Sequence, residues 1–271
     1  MNQADDTIVL ADVGNTRIKL AVMAATDDHT HGLPAMAARQ DLLSHEFRSE
    51  NLRRWLDRVA HGPTTLLVAS VHDTAAARLE VAVAEVSATG QRPIRVRRVS
   101  REHLPIVIDV DEPQRVGIDR IAAAAAVAVA KDAGRPAVVV DCGTATTVDL
   151  VSADGRFLGG AILPGPELLS RALAEGTSRL PAVAALDQGG LPAMPGRSTQ
   201  AAIAAGIGFG MRGAVARLVA EATASLGGTP ELFLTGGSRG IVRDAMPAAV
   251  EIPDLVLHGL ALAVRRLQSA A

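Results

Sequence analysis

Two short segments of this chain combine an aspartate, a glycine and hydroxyl or amide side chains at one spacing. They are Asp12-Val13-Gly14-Asn15-Thr16 and Asp141-Cys142-Gly143-Thr144-Ala145-Thr146-Thr147. Each follows an apolar, β-branched run, Thr7 to Ala11 in the first case and Pro136 to Val140 in the second, and each leads into another apolar stretch. That context predicts a strand, a sharp turn and a returning strand. A tight turn aims several backbone N–H groups the same way, which binds an oxyanion. Glycine lets a phosphate approach the backbone and tolerates positive φ. Asn15, Thr16, Thr144, Thr146 and Thr147 add neutral donors, and Lys19 adds positive charge. Asp12 and Asp141 offer the hard oxygen ligands preferred by hydrated Mg²⁺ or a monovalent cation. One Asp-x-Gly turn is ordinary punctuation. Two in matched contexts, about one lobe apart, point to a duplicated fold.

A second kind of chemistry is suggested by Gly117-Ile118-Asp119-Arg120, which opens an alanine-rich helix running to Lys131 and stopped by Gly134 and Pro136. Two accounts fit Asp119 on local sequence. A carboxylate in a first helical turn is stabilised by the helix dipole, by about 0.3–1 kcal/mol when exposed. An ionised aspartate can also orient a substrate hydroxyl and accept its proton. Gly236-Gly237, after the predicted strand Glu231 to Thr235, is a third glycine-rich strand exit, compatible with a nucleotide or with plain turn geometry. Gly208-Phe209-Gly210-Met211-Arg212-Gly213 matches G-x-G-x-x-G, but its alanine-rich flanks read as helix, so small residues for close packing account for it better than a dinucleotide. The absence of G-x-x-x-x-G-K-[ST] excludes a P-loop kinase, and the seven histidines show no zinc-ligand spacing with Cys142.

The elements that must position these residues follow from periodicity. Thr7 to Ala11 and Ile18 to Met23 predict a hairpin, and residues 26–40 a loop. Leu66 to Val71 and Ile94 to Val99 predict strands flanking a helix from about Thr74 to Ser87. Pro136 to Val140, Val148 to Val151 and Phe157 to Ile162 predict three strands, followed by a helix over Glu167 to Ala174. Glu231 to Thr235 predicts a further strand and Asp254 to Gln268 a helix. At 271 residues the chain can form two lobes. We expect residues 1–115 to carry the first turn, and residues 116–271 the G-x-D-R helix, the second turn and the Gly-Gly exit.

Composition excludes several partner classes. With 27 basic against 29 acidic residues there is no electrostatic footprint for nucleic acid. The densest basic cluster, Arg92, Arg95, Arg97, Arg98 and Arg101, has no aromatic residue to stack a base and predicts a solvated strand face. A single cysteine rules out an internal disulfide and suits a reducing cytoplasm. The start, with Asp5 and Asp6, lacks the basic region of a secretory signal, and the apolar run Ile121 to Ala130 is too short to span a bilayer. The expectation is a soluble cytoplasmic protein without a nucleic-acid or membrane partner.

In order along almost the whole chain, the motifs resemble those of the type III pantothenate kinases, of the acetate and sugar kinase/Hsp70/actin superfamily. The resemblance rests on Asp12 to Lys19, Gly117 to Arg120, Asp141 to Thr147, Gly159 to Gly165, Leu173 to Pro181, Ser198-Thr199 and Thr235 to Gly237. It implies an α/β fold of duplicated actin-like (ribonuclease H-like) lobes with a nucleotide cleft between them. It also implies ATP-dependent phosphorylation of pantothenate, the first step toward coenzyme A.

By that resemblance Asp12, Val13, Gly14, Asn15, Thr16, Arg17, Ile18 and Lys19 would form the first ATP-phosphate loop, with Thr144 touching ATP from the second. Gly117, Ile118, Asp119 and Arg120 would hold pantothenate, Asp119 accepting the proton of its primary hydroxyl and Arg120 lying near its carboxylate. Thr199 would also contact pantothenate, and Asp141 would bind a monovalent cation, K⁺ or NH₄⁺, alongside ATP with Mg²⁺. The family is generally dimeric, which implies a homodimer. The chain departs from the family pattern at Val110, where many members carry a pocket tyrosine, and it contains no tyrosine at all. Two other readings share these motifs: an actin-fold kinase for another small hydroxylated acid, and a nucleotide-binding regulator without transfer activity.

Overall fold

The computed structural model describes residues 6–24, 29–89, 93–183 and 192–269. Strands β1 (Thr7–Val13) and β2 (Arg17–Met23) form an antiparallel hairpin, followed by the short ribbon β3 (His29–Thr30) and β4 (Leu33–Pro34). Strand β5 (Met36–Leu43) then pairs antiparallel with β2. Helix α1 (Ser49–Val59), strand β6 (Thr64–Ser70), helix α2 (Asp73–Thr89) and strand β7 (Ile94–Arg98) complete a sheet of order β5-β2-β1-β6-β7. After β8 (Val107–Ile108) and helix α3 (Ile118–Ala130) comes an antiparallel meander of β9 (Ala137–Cys142), β10 (Ala145–Val151) and β11 (Arg156–Pro164). Helices α4 (Pro166–Gly176) and α5 (Thr199–Leu226) precede β12 (Glu231–Thr235), β13 (Val250–Glu251) and the last helix, α6 (Leu255–Ser269). The second sheet has the order β13-β12-β9-β10-β11-β8.

Counted from each Asp-x-Gly strand, the two sheets share one topology. The third, second, first, fourth and fifth strands lie side by side, the first three antiparallel and the last two parallel to the first. Strand β8 is an addition at the edge of the second sheet, parallel to β11. This repeated plan is the duplicated actin-like architecture.

The chain divides into two compact units, one of residues 1–106, 112–130 and 255–271, the other of residues 107–111 and 131–254. Helices α3 and α6 both fall in the first of these units. Within the first unit these two helices pack on each other, and they touch so closely that a Cβ on Gly259 would lie 2.0 Å from the Ala122 carbonyl oxygen. One sheet face packs on α1 and α2 through Val9, Ala11, Val68, Leu52, Trp55 and Leu79. Helix α6 contacts β1 and β2, and α3 contacts β6. In the second unit, Val138, Val140, Cys142 and Val148 pack against Ile203, Ile207, Met211 and Val215 of α5.

Two corrections concern the first unit. The segment 26–40, expected as a loop, contains the start of β5, an edge strand whose alternating half-exposed residues carry little hydrophobic signal. Helix α1 was not anticipated. Its Leu52, Trp55 and Leu56 form a narrow apolar stripe in an otherwise charged segment. The arginine cluster is used within the fold: Arg95 pairs with Asp6 at 2.5 Å and Arg98 with Glu80 at 2.7 Å, while Arg97 donates to the Leu267 carbonyl and Arg101 to that of Gln114. Arg92 lies outside the described residues.

Among the described residues one helix, α5, is long and apolar enough to cross a membrane. It contains the whole G-x-G-x-x-G match, so no strand precedes that motif. Its Arg212 is buried, donating through Nε to the Ile241 carbonyl at 2.6 Å and through Nη2 to Asp244 at 3.1 Å. With β9 and β10 packed on it, α5 is the core helix of the second unit.

Gly259 tests the helix contact. Alanine gains about 1 kcal/mol of helix propensity over glycine, but a Cβ at 2.0 Å from a backbone oxygen forces α3 and α6 apart. Overpacking of this kind costs about 1–3 kcal/mol and outweighs the gain. Thermal unfolding of Gly259→Ala is expected to show a lowered Tm; an unchanged or raised Tm contradicts the close contact.

Candidate functional site

The first turn spans residues 14–16, and its strands run closer to it than expected, β1 to Val13 and β2 from Arg17. It closes with the Gly14 N–H donating to the Arg17 carbonyl at 2.9 Å. Its carbonyl oxygens are engaged from outside the hairpin. The Ser44 hydroxyl donates to Gly14 O at 2.8 Å, the Ser44 N–H to Thr16 O at 3.0 Å, and the Val71 N–H to Val13 O at 3.1 Å. Cross-strand register sets Asp12 beside Lys19, and Lys19 beside Asp41, so the three residues share one sheet face. Val13 and Ile18 are buried in the core, leaving only their backbone for a ligand, whereas Asn15 and Arg17 are exposed.

The second turn is the two-residue link Gly143-Thr144, with the Gly143 N–H donating to the Ala145 carbonyl at 2.9 Å. Asp141 holds the place that Asp12 has in the first sheet, next to last in its strand. Its cross-strand neighbours are the hydroxyl side chains of Thr147 and Thr235 rather than a lysine. The same outside bonds recur: Gly165, just past β11, donates to Thr144 O at 2.9 Å, and Ser238 donates to Cys142 O at 2.9 Å. Both glycines around this turn are required by space. A Cβ on Gly165 would lie 2.2 Å from Gly143 O, and one on Gly236, at φ +92°, would lie 2.5 Å from Asp141 Oδ1. Burial and the adjacent Asp141 carboxylate push the Cys142 thiol up to about 12, so it is neutral and inert.

The Gly117-Ile118-Asp119-Arg120 turn belongs to the first unit. Asp119 Oδ1 accepts from the Arg120 N–H at 2.8 Å, and a Cβ on Gly117 would lie 2.5 Å from that same oxygen. Glycine is thus the residue that leaves the carboxylate its place. Val71 joins this turn to the first one: its N–H bonds Val13 O, and its Cγ1 is 3.7 Å from the Gly117 Cβ position. Gly117 and Ile118 line a cavity of about 690 Å³ together with Ser70, Val71, Ser100 and Arg101. The structure therefore brings Asp12 to Lys19 and Gly117 to Arg120 together within one unit.

Asp141, Thr144 and Thr199 belong to the other unit. Thr199 is the exposed first residue of α5, behind the N-cap Ser198, whose hydroxyl accepts from the Ala201 N–H at 3.1 Å. It borders an apolar cavity of about 690 Å³ lined by Leu163, Leu169, Leu173, Ile203 and Met211. Val110 packs on the second unit's β11, its Cγ1 3.4 Å from the Cβ position of Gly159. Sequence reasoning missed Ser44 and Val71 as supports. Neither residue type carries a signal, because each acts through bonds to turns distant in sequence.

With the geometry described, comparison with known proteins adds the following. The profile of a family described as type III pantothenate kinase matches residues 8–221. A type III pantothenate kinase of Rhodopirellula baltica is 38% identical, covering 92% of this chain and 95% of its own length. One from Alkalilimnicola ehrlichii is 33% identical, covering 95% and 97%. A solved structure from Campylobacter jejuni, described as a Baf family transcriptional activator, superposes with a TM-score of 0.52 at 18% identity, over 97% of this chain and 100% of that one. At that identity the likeness concerns the fold.

Gly117→Ala isolates the space left for the Asp119 carboxylate. Measured as pantothenate-dependent ADP formation, its turnover is expected to fall roughly 10- to 10²-fold if Asp119 acts on the substrate, the scale of a displaced reacting group. Wild-type turnover in this variant removes the steric argument.

Proposed function

The chain belongs to the type III pantothenate kinase family, enzymes that phosphorylate pantothenate with ATP at the start of coenzyme A synthesis, and from that premise we propose how its residues divide the work. The observation that carries the proposal is that Asp119 and the first glycine turn belong to one unit, where Val71, bonded to Val13 O, lines the same cavity as Gly117 and Ile118. A base and a phosphate-binding loop on one rigid support meet the positioning demand of phosphoryl transfer.

In this reading the Asn15 N–H and the side chains of Asn15, Thr16 and Lys19 bind the phosphates of MgATP, and the role of Thr144 toward ATP is carried by the family resemblance alone. Pantothenate lies against Gly117 and Ile118, its carboxylate near Arg120, with Thr199 a further contact. The primary hydroxyl oxygen of pantothenate bonds to the γ-phosphorus, the bond from that phosphorus to the β,γ-bridging oxygen breaks, and ADP departs. The hydroxyl proton passes to Asp119. Lys19 and the turn amides neutralise charge that spreads over the transferring group, an electrostatic effect strongest where water is excluded.

The residues around Asp141 fit a monovalent cation. Thr147 and Thr235 are the cross-strand neighbours of the carboxylate, and Gly236 is required beside it, since a Cβ there would lie 2.5 Å from Asp141 Oδ1. Such an ion, K⁺ or NH₄⁺, would supply fixed positive charge. Asp141 and the threonine hydroxyls would hold it.

A homodimer is proposed on the open side of α5. Phe209 there is 40% exposed, and Gly206, Gly210 and Gly213 leave room for a close partner. A second copy is the occupant that family resemblance favours. The assignment to the cytoplasm is likewise a proposal, supported by the single reduced cysteine and the metabolic role.

Two measurements test this reading. Asp119→Asn is expected to bind ATP normally while turnover falls at least about 10²-fold, the usual share of a general base; retained turnover excludes Asp119 as proton acceptor. By sedimentation, the wild-type protein is expected to be a dimer and Phe209→Glu a monomer. A wild-type monomer at micromolar concentration removes the dimer from the proposal.

A further inference from the structure

We propose that Ser44 is a positioning residue for phosphoryl transfer, holding two carbonyl oxygens of the first turn away from the nucleotide. This inference rests on the assignment of residues 12–19 to the ATP phosphates.

Ser44 is the first residue beyond β5 and is 3% exposed, so its groups face protein rather than water. Both of its donors go to the turn. The hydroxyl bonds Gly14 O at 2.8 Å, and the N–H bonds Thr16 O at 3.0 Å, bracketing Asn15. In a trans peptide the carbonyl and the following N–H lie in one plane and point in opposite directions. Holding Gly14 O against Ser44 therefore turns the Asn15 N–H away from Ser44. An anion site built from backbone N–H groups fails if a carbonyl rotates into it, because the oxygen's partial negative charge then faces the phosphate.

The second unit supplies an internal control. Its residue just past the third strand, Gly165, makes the same backbone bond to the last carbonyl of its turn, Thr144 O, at 2.9 Å. That position admits no side chain, since a Cβ would lie 2.2 Å from Gly143 O. The backbone bond is thus common to both turns, while the Ser44 hydroxyl is an addition of the first. The extra bond falls on the longer, three-residue turn, which has more freedom to rotate a peptide.

A role confined to stability lowers the fraction of active enzyme and leaves KM values alone; a positioning role moves the KM for ATP. In the full-length enzyme, Ser44→Ala is expected to raise the KM for ATP about 10-fold, the equivalent of one lost hydrogen bond to a phosphate site. The KM for pantothenate is expected to stay within about two-fold, and Ser44→Thr, which keeps the hydroxyl, to restore the ATP value. An unchanged KM for ATP in Ser44→Ala, or an equal rise in both KM values, overturns the proposal. If Ser44→Ala does not fold, Ser44→Cys keeps the volume with a weaker donor and is expected to raise the KM for ATP about three-fold; no rise overturns the proposal equally. Lys19→Met separates the two levels of inference. A raised KM for ATP in Lys19→Met alone refutes Ser44 and spares the phosphate loop, whereas no rise in either variant refutes both.

Discussion

A backbone turn that receives a polyphosphate has to present amide N–H groups and keep its carbonyl oxygens occupied elsewhere, because each peptide unit carries both. The two turns here occupy their carbonyl oxygens in the same way. The last carbonyl of the first strand, Val13 O or Cys142 O, accepts from the exit of the fourth strand. The last carbonyl of the turn itself, Thr16 O or Thr144 O, accepts from the residue after the third strand. Sheet topology is what makes these bonds available: the third and fourth strands lie on either side of the Asp-x-Gly hairpin and end beside it. Much else follows, from the glycines at 165 and 236 to the place of Val71.

The duplicated frame also shows where the two turns have parted. Equivalent aspartates have different neighbours, a lysine beside Asp12 and two threonines around Asp141. A carboxylate beside an ammonium is already compensated. One whose cross-strand neighbours are hydroxyls has neutral oxygens beside it, the setting proposed above for a monovalent cation. One strand–turn–strand plan thus gives its two aspartates different electrostatic surroundings through cross-strand differences.

Much of this was legible in sequence because the turns pair strong local signals, an apolar β-branched run followed by Asp-x-Gly and hydroxyl residues. The start of α3 was legible too, from a glycine and an acid opening an alanine-rich stretch, while the role given to Asp119 comes from the family resemblance. Strand β5 was not, since Ala37, Arg39 and Asp41 give an edge strand the look of a loop. Ser44 was invisible: a serine among polar residues has no distinguishing neighbour, and its role comes from a turn about thirty positions away. The placing of α3 and α6 in the first unit was also beyond local reading, because it depends on one glycine of the last helix meeting one alanine of another. Periodicity reports which face of an element is apolar, and says nothing of which distant face it will cover.

That last contact bears on biosynthesis. The first unit is closed by a helix that follows the whole of the other unit in the chain. Strand β1 leaves the ribosome long before the helix that packs on it. The nascent chain must therefore shelter an unfinished apolar sheet until residues 255–269 emerge, and truncation before them removes the support of the Asp119 helix as well.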